Sequence, residues 1–247
     1  IAPVLPEPIL PEIDEPYGML VTGVGGTGVV TIGALIGMAA HLEGKGCSVL
    51  DMTGLAQKGG AVFSHVRIAR RPEDIHAVRI AAGGARLLLG CDLVVAASFD
   101  SLAKLERGRS RAVVNSHETV TGDFTRQPDL QIPTARLEQA IVQAAGAGAT
   151  EFLDATRMAT ALLGDSIATN PFMLGYAYQK GLVPVSAAAI ERAIELNGVA
   201  VAANKRAFLW GRRAAHDPAA VEAVVRTAVP EPASRDIAAE LDEIVTR

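Results

Sequence analysis

Residues 17–42 contain no Asp, Glu, Lys or Arg, and the middle of this run is broken by Gly23, Gly25, Gly26 and Gly28. A charge-free stretch of that length could cross a bilayer. Four glycines at its centre would interrupt a spanning helix, so no membrane segment is expected. The pattern divides instead into a short apolar strand at 18–24, a glycine turn, and an apolar helix from about 27 to 42. A strand turning through glycines into a helix is the opening unit of an α/β fold.

The rest of the chain continues in that style. Further strands are expected at 47–51, at 61–68, at 92–97 and at 111–115, with a helical turn at 101–106 between the last two. In the 61–68 strand, Val62, Ser64, Val66 and Ile68 alternate with Phe63, His65 and Arg67, giving two different faces. Strands joined by helices and short turns predict a three-layer α/β/α sandwich with a Rossmann-like, mainly parallel sheet. The second half is more helical, with helices expected at 134–145, 187–196, 199–210, 217–226 and 234–245. Ser186 is placed to cap one of these, and Asn197-Gly198 to end it. Residues 1–16 carry five prolines and read as a linker or surface arm. The expected division is thus 1–16 as an arm, 17–212 as one domain, and 213–247 as a helical C-terminal extension or the start of a neighbouring domain.

Gly23-Val24-Gly25-Gly26-Thr27-Gly28 is the most informative local motif. Glycines let backbone N–H groups approach a ligand without Cβ interference, and the helix that follows adds partial positive charge. Gly25, Gly26, Thr27 and Gly28 are therefore candidate phosphate ligands. Lys58 or Lys45 could add a cation, and Gly59 and Gly60 could permit close backbone approach. Asp51 falls 23 residues beyond Gly28, close to where a dinucleotide fold places its ribose-binding acid. On this motif alone, an NAD(P)-dependent dehydrogenase domain and a structural module with an unliganded turn both stay open.

Composition removes other classes. The net charge is −4, no basic block exists, and aromatics make up 4%, so no nucleic-acid partner is expected. Two cysteines, Cys47 and Cys91, are too few for an internal iron–sulfur cluster or a four-thiolate zinc site, and they suit a reducing cytoplasm. No histidine pair has metal-ligand spacing, so no bound metal is expected. A Gly-x-Ser-x-Gly elbow is absent, which excludes a serine hydrolase of that type. The first residues are Pro-rich and acidic without a positive segment, so no secretory leader is expected. His65 and Arg67 read as an interface, and the adjacent pair His117 and Glu118 as an incidental loop feature. Asn170 precedes Pro171, which favours an extended backbone there.

Larger constellations go further. Leu55-Ala56-Gln57-Lys58-Gly59-Gly60-Ala61-Val62-Phe63-Ser64-His65-Val66-Arg67-Ile68 places a cation and two glycines before an alternating strand. With the first loop, Glu43-Gly44-Lys45, Asp92-Leu-Val-Val95, Ala155-Thr-Arg-Met-Ala159, Gly164-Asp165-Ser166-Ile167-Ala168-Thr169-Asn170-Pro171-Phe172-Met173-Leu174-Gly175 and Gln179-Lys180-Gly181-Leu182-Val183-Pro184, it resembles the gamma module of the 2-oxoacid:ferredoxin oxidoreductases. It is most similar to that domain of the fused indolepyruvate enzymes, over roughly residues 18–212. One departure is Lys58, where many gamma modules carry Arg; the cation is kept but the bidentate fork is lost. The resemblance implies one component of an enzyme that converts a 2-oxo acid to an acyl-coenzyme A. Thiamine diphosphate, Mg and [4Fe-4S] clusters would sit on other domains or subunits, with ferredoxin as electron acceptor. Neither Gly122-Asp123 nor Gly164-Asp165 is followed by an Asn at thiamine-site spacing. The gamma module is then expected to carry no catalytic residue. It would help form the active-site mouth and bind coenzyme A through Gly25, Gly26, Thr27, Gly28, Lys58, Gly59, Gly60 and, on resemblance, Asn170.

Overall fold

The computed structural model describes residues 5–54, 59–117 and 133–228. Lys58, Glu118, Gly122-Asp123 and the helix expected at 234–245 lie outside the described residues. In chain order the elements are β1 (Tyr17–Val24), α1 (Val29–Leu42), β2 (Gly46–Thr53), β3 (Ala61–Ala69), β4 (Ala85–Gly90), α2 (Leu93–Ala96), α3 (Phe99–Leu102) and β5 (Arg111–Asn115). Then follow α4 (Thr134–Ala145), β6 (Thr150–Leu153), α5 (Ala155–Leu163), α6 (Thr169–Gln179), α7 (Ala187–Asn197), α8 (Val201–His216) and α9 (Pro218–Ala228). The boundary expected after Arg212 falls inside α8.

The strands form one sheet in the order β2-β3-β1-β4-β5-β6. Pairing is antiparallel at β2/β3 and β3/β1 and parallel at β1/β4, β4/β5 and β5/β6, so only β3 runs against the rest. The period-2 alternation of the central strands sorts their side chains into two cores. Met19, Val21, Leu87, Leu89 and Val113 pack on one face with α1, α6, α7 and α8. Leu20, Leu88, Ala112 and Val114 pack on the other with Leu93 and Ala96 of α2 and Ile141 and Ala145 of α4. Helices on both faces of a mostly parallel sheet give the expected α/β/α sandwich.

Three local expectations need correction. The apolar run at 92–97 is not a strand: Asp92 Oδ1 accepts the Val95 N–H at 2.9 Å and starts the short helix α2. N-capping overrode the β-branched residues, and the strand is the preceding Leu-rich segment, β4. Asn170 and Pro171 are not extended but lie in the first turn of α6, where a missing N–H costs nothing. His65 is no outer interface, being 2% exposed on β3 with Nδ1 accepting the Ile80 N–H. Burial, with help from the Arg79 and Lys104 charges, pushes its pKa down to about 4. No helix among the described residues is long and apolar enough to cross a membrane.

Candidate functional site at the strand ends

From β1 the chain first builds the sheet in one direction, through β2 and β3, and then in the other, through β4, β5 and β6. α1 leaves β1 over one face and α2 leaves β4 over the other. The carboxyl ends of β1 and β4 therefore diverge into a crevice, the place where open α/β sheets bind ligands. A cavity of about 320 Å³ sits there, lined by Val24, Thr27, Cys91, Asp92, Asn115, His117, Thr156, Ser166, Thr169 and Asn170. A second, of about 230 Å³, lies along α1 on the other side of Thr27 and Asn170.

The glycine loop forms the rim between them. Gly26 (φ 90°) and Gly28 (φ 93°) hold left-handed backbone that a side chain would strain. Gly25 donates its N–H to the Gly60 carbonyl at 2.8 Å, pinning this loop to the segment before β3. Thr27 turns back on Val24, its N–H (3.3 Å) and its hydroxyl (2.8 Å) both donating to the Val24 carbonyl. The N–H groups of Gly26 and Gly28 have no protein acceptor among the described residues. The first intrahelical bond of α1 runs from Ile32 N–H to Gly28 O, so the leading amides of the helix are free as well. α1 has neither a side-chain cap nor an acidic residue in its first turn, whereas α2 and α5 are capped by Asp92 and Asp154. The positive end of its dipole is left uncompensated.

Asn170 ties this loop down from 143 residues away: its Nδ2 donates to the Thr27 carbonyl at 2.7 Å. Asn170 is 3% exposed and sits beside Gly28. Gly25, Gly26, Thr27, Gly28, Gly60 and Asn170 thus converge, with Gly59 next in the chain to Gly60. Lys58 lies outside the described residues. Two other candidates do not converge. Lys45 follows the far end of α1, about 20 Å along the helix, bonded to Glu43 (2.6 Å) and the Pro184 carbonyl (2.7 Å). Asp51 lies on β2, which β3 separates from β1. The ribose-binding acid of a dinucleotide fold belongs on the strand next to β1, so the NAD(P) reading loses its second anchor.

Sequence reasoning missed Asn115 and Asp154. Asn115 ends β5, 3% exposed, and all its hydrogen-bonding capacity is used: Nδ2 donates to Cys91 O (3.1 Å) and Thr156 Oγ1 (2.9 Å), and Oδ1 accepts from Ala155 N (3.0 Å) and His117 N (3.3 Å). It brackets β4, β5 and α5. Asp154 caps α5 by accepting the Arg157 N–H and holds His117 Nδ1 at 3.0 Å. A signal for Asp154 was available, since an Asp before a helical run reads as an N-cap. Among the described residues no three His, Cys, Asp or Glu side chains form a metal site. Burial, reinforced by Asp92, pushes the Cys91 thiol up to about 12, leaving it inert as a nucleophile.

Known proteins resemble this chain in sequence or in fold. The indolepyruvate oxidoreductase subunit IorB of Thermococcus kodakarensis is 26% identical over 203 residues, 81% of this chain and 96% of its own. The gamma subunit of a keto/oxoacid ferredoxin oxidoreductase from Geobacter sulfurreducens has the same fold, with a TM-score of 0.57, 22% identity, and coverage of 81% of this chain and 98% of its own. A 2-oxoglutarate:ferredoxin oxidoreductase from Magnetococcus marinus, solved with 2-oxoglutarate, coenzyme A and succinyl-CoA bound, aligns with a TM-score of 0.62 and 14% identity over 82% of this chain and 31% of its own. Residues 18–214 match the family model described as pyruvate ferredoxin/flavodoxin oxidoreductase, and the chain belongs to that family.

Proposed function

We propose that this chain is the gamma-type component of a 2-oxoacid ferredoxin oxidoreductase acting on an aryl pyruvate, and that its glycine loop binds the diphosphate of coenzyme A. The relative named an indolepyruvate oxidoreductase subunit supports the substrate class. One observation carries the ligand: the N–H groups of Gly26 and Gly28, without an acceptor among the described residues and at the uncapped start of α1, belong to the loop at the rim of the crevice where the sheet changes direction. Such a set of amides suits an anionic phosphate. Lys58 is the cation we assign to it, and Gly59 and Gly60 bring the neighbouring backbone close. Thiamine diphosphate with Mg and the [4Fe-4S] clusters belong to partner domains or subunits, where they supply decarboxylation and electron transfer to ferredoxin. This chain cannot hold a cluster itself, because Cys47 and Cys91 are its only thiols. Both are free, which suits a reducing cytoplasm. The chain's own work is to bind the acyl acceptor and orient it at the mouth of a shared active site.

Gly26→Ala is the direct test. A Cβ at Gly26 meets nothing within 4 Å, so the change acts on the left-handed backbone and the approach of a ligand and leaves the core untouched. Calorimetry on the assembled complex should show coenzyme A bound about tenfold more weakly, the loss of roughly one hydrogen bond's worth of affinity. Unchanged affinity, or NADH binding more tightly than coenzyme A, would overturn the assignment. Calorimetry is preferred to fluorescence because Trp210, the single tryptophan, lies on α8 and lines neither cavity at the loop.

A further inference from the structure

The cavity over the ends of β4 and β5 has a chemistry opposite to that of the loop at its rim. Asn115 is saturated, as described above. The Thr169 hydroxyl is 2.6 Å from Ser166 O and 3.3 Å from Thr156 Oγ1, so it too is engaged. Apart from the Ser166 hydroxyl, what stays open are acceptors. Asp92 is 8% exposed and has no Lys or Arg partner among the described residues; Oδ1 accepts the Val95 N–H, and Oδ2 has no protein donor. Asp92 lines the cavity, so a donor placed there can reach its open oxygen. His117 offers a second acceptor. Its Nδ1 faces the Asp154 carboxylate, which accepts and does not donate, so in the neutral ring the proton sits on Nδ1 and Nε2 is a lone-pair acceptor. Asp154 is itself fixed by the Arg157 N–H at 2.9 Å and by the Arg157 guanidinium at 3.9 Å.

Carboxylates and an imidazole lone pair repel phosphate and attract hydrogen-bond donors. We propose that this cavity is a second subsite, which takes the uncharged, donor-bearing arm of the ligand whose diphosphate lies on the loop. In coenzyme A this is the pantetheine arm, with its amide N–H and hydroxyl groups, and His117 Nε2 and Asp92 are the acceptors. The inference rests on the diphosphate reading above. Direction agrees with it: strands are spaced about 4.8 Å apart, so the ends of β4 and β5 lie roughly 5–10 Å from the loop, within reach of a chain leaving a diphosphate there. The opposite direction, toward β3, is closed at the loop by the Gly25–Gly60 bond.

The test compares two ligands across three proteins, in the assembled complex and by calorimetry. Coenzyme A is set against its nucleotide half, 3′-phosphoadenosine 5′-diphosphate, which lacks the pantetheine arm. His117→Ala should weaken coenzyme A about tenfold, as expected for one lost hydrogen bond, and leave the nucleotide half unchanged. His117→Gln should restore coenzyme A, because the Gln Oε1 can accept near the former Nε2 position, and a merely structural loss would not be rescued this way. Equal binding of coenzyme A by wild type and His117→Ala, or an equal loss for both ligands, would overturn the subsite and leave the loop assignment standing. A wild-type complex that binds neither ligand would overturn both.

Discussion

Thr22 lies in β1 just before the glycine loop, fully buried, and its Oγ1 has no hydrogen-bond partner among the described residues. An unsatisfied buried hydroxyl costs about 1–3 kcal/mol of desolvation, while valine offers nearly the same shape without the polar atom. Thr22→Val should therefore stabilise the protein by about 1 kcal/mol, measured as a higher urea midpoint at unchanged slope. A midpoint that falls would mean the hydroxyl is satisfied in solution. Residues also differ in how far their roles can be read without coordinates. The turn made by Gly25, Gly26 and Gly28 was legible because the residue type itself sets the backbone between a strand and a helix. Asn115 was not: a lone Asn at a strand end carries no pattern, and its key partners lie 24 to 41 positions away. Lys45 looked suitable for a phosphate until the length of α1 placed it at the wrong end.

At the scale of the elements, α6 and α8 cross with almost nothing between their backbones. A methyl at Gly175 would overlap the Phe208 carbonyl, and one at Gly211 the Phe172 carbonyl, so backbone meets backbone at this crossing. Gly37 in α1 offers a control: its added Cβ would fall 2.7 Å from Val49 Cγ2, a side-chain tip on β2 that can rotate. Both Gly→Ala changes gain the same helix propensity, about 1 kcal/mol, so that gain cancels in the comparison. Gly211→Ala should be the more destabilising by about 1–3 kcal/mol, because carbonyls cannot step aside as side chains do. Thermal melts of the two variants check this, and equal melting points would show that the crossing relaxes. The same competition between local and tertiary terms decided which elements were legible. β1, α1 and β5 have long apolar periods or sharp glycine and cap signals. β4 was hidden by its leucines, which favour helix as readily as strand, and β6 by having only four residues. α6 was obscured by Pro171, whose position in the first turn becomes clear only when the start of the helix is known.

At the scale of the molecule, the segment before β1 runs back over the helical layer and is held by charge. Arg212 on α8 is buried, with 8% of its side chain exposed. Its Nη2 donates to Glu7 Oε1 at 2.9 Å and its Nε to Gln179 Oε1 at 2.8 Å, and its guanidinium lies 5.0 Å from the centre of the Tyr178 ring. The Tyr178 hydroxyl donates to Glu7 Oε2 at 2.5 Å, and Gln179 Nε2 to the Pro6 carbonyl at 2.7 Å. Further along, Glu15 bridges Arg86 and Arg109, binding the end of the segment to the sheet. The Tyr178 hydrogen bond, with Arg212 behind it and burial opposing, holds the Glu7 carboxyl below the usual glutamate range. A lowered acid stabilises the fold above its unfolded value, about 4.3, and loses that contribution as pH falls through the folded value. Glu7→Gln should accordingly lower stability near pH 7, by no more than about 1 kcal/mol because the Glu7 side chain is 64% exposed and solvent screens the pair. The gap between wild type and variant should close below about pH 4. Other carboxyls held low, Glu15 and Glu151 among them, are carried by both proteins, so they drop out of the difference. Melting curves of both proteins at pH 7, 5 and 3 test this. No gap at any pH would mean that the bond from Gln179 to the Pro6 carbonyl, not the Glu7 charge, holds the segment against α8, and a gap that stays the same size down to pH 3 would mean that the variant loses hydrogen-bond geometry and not charge.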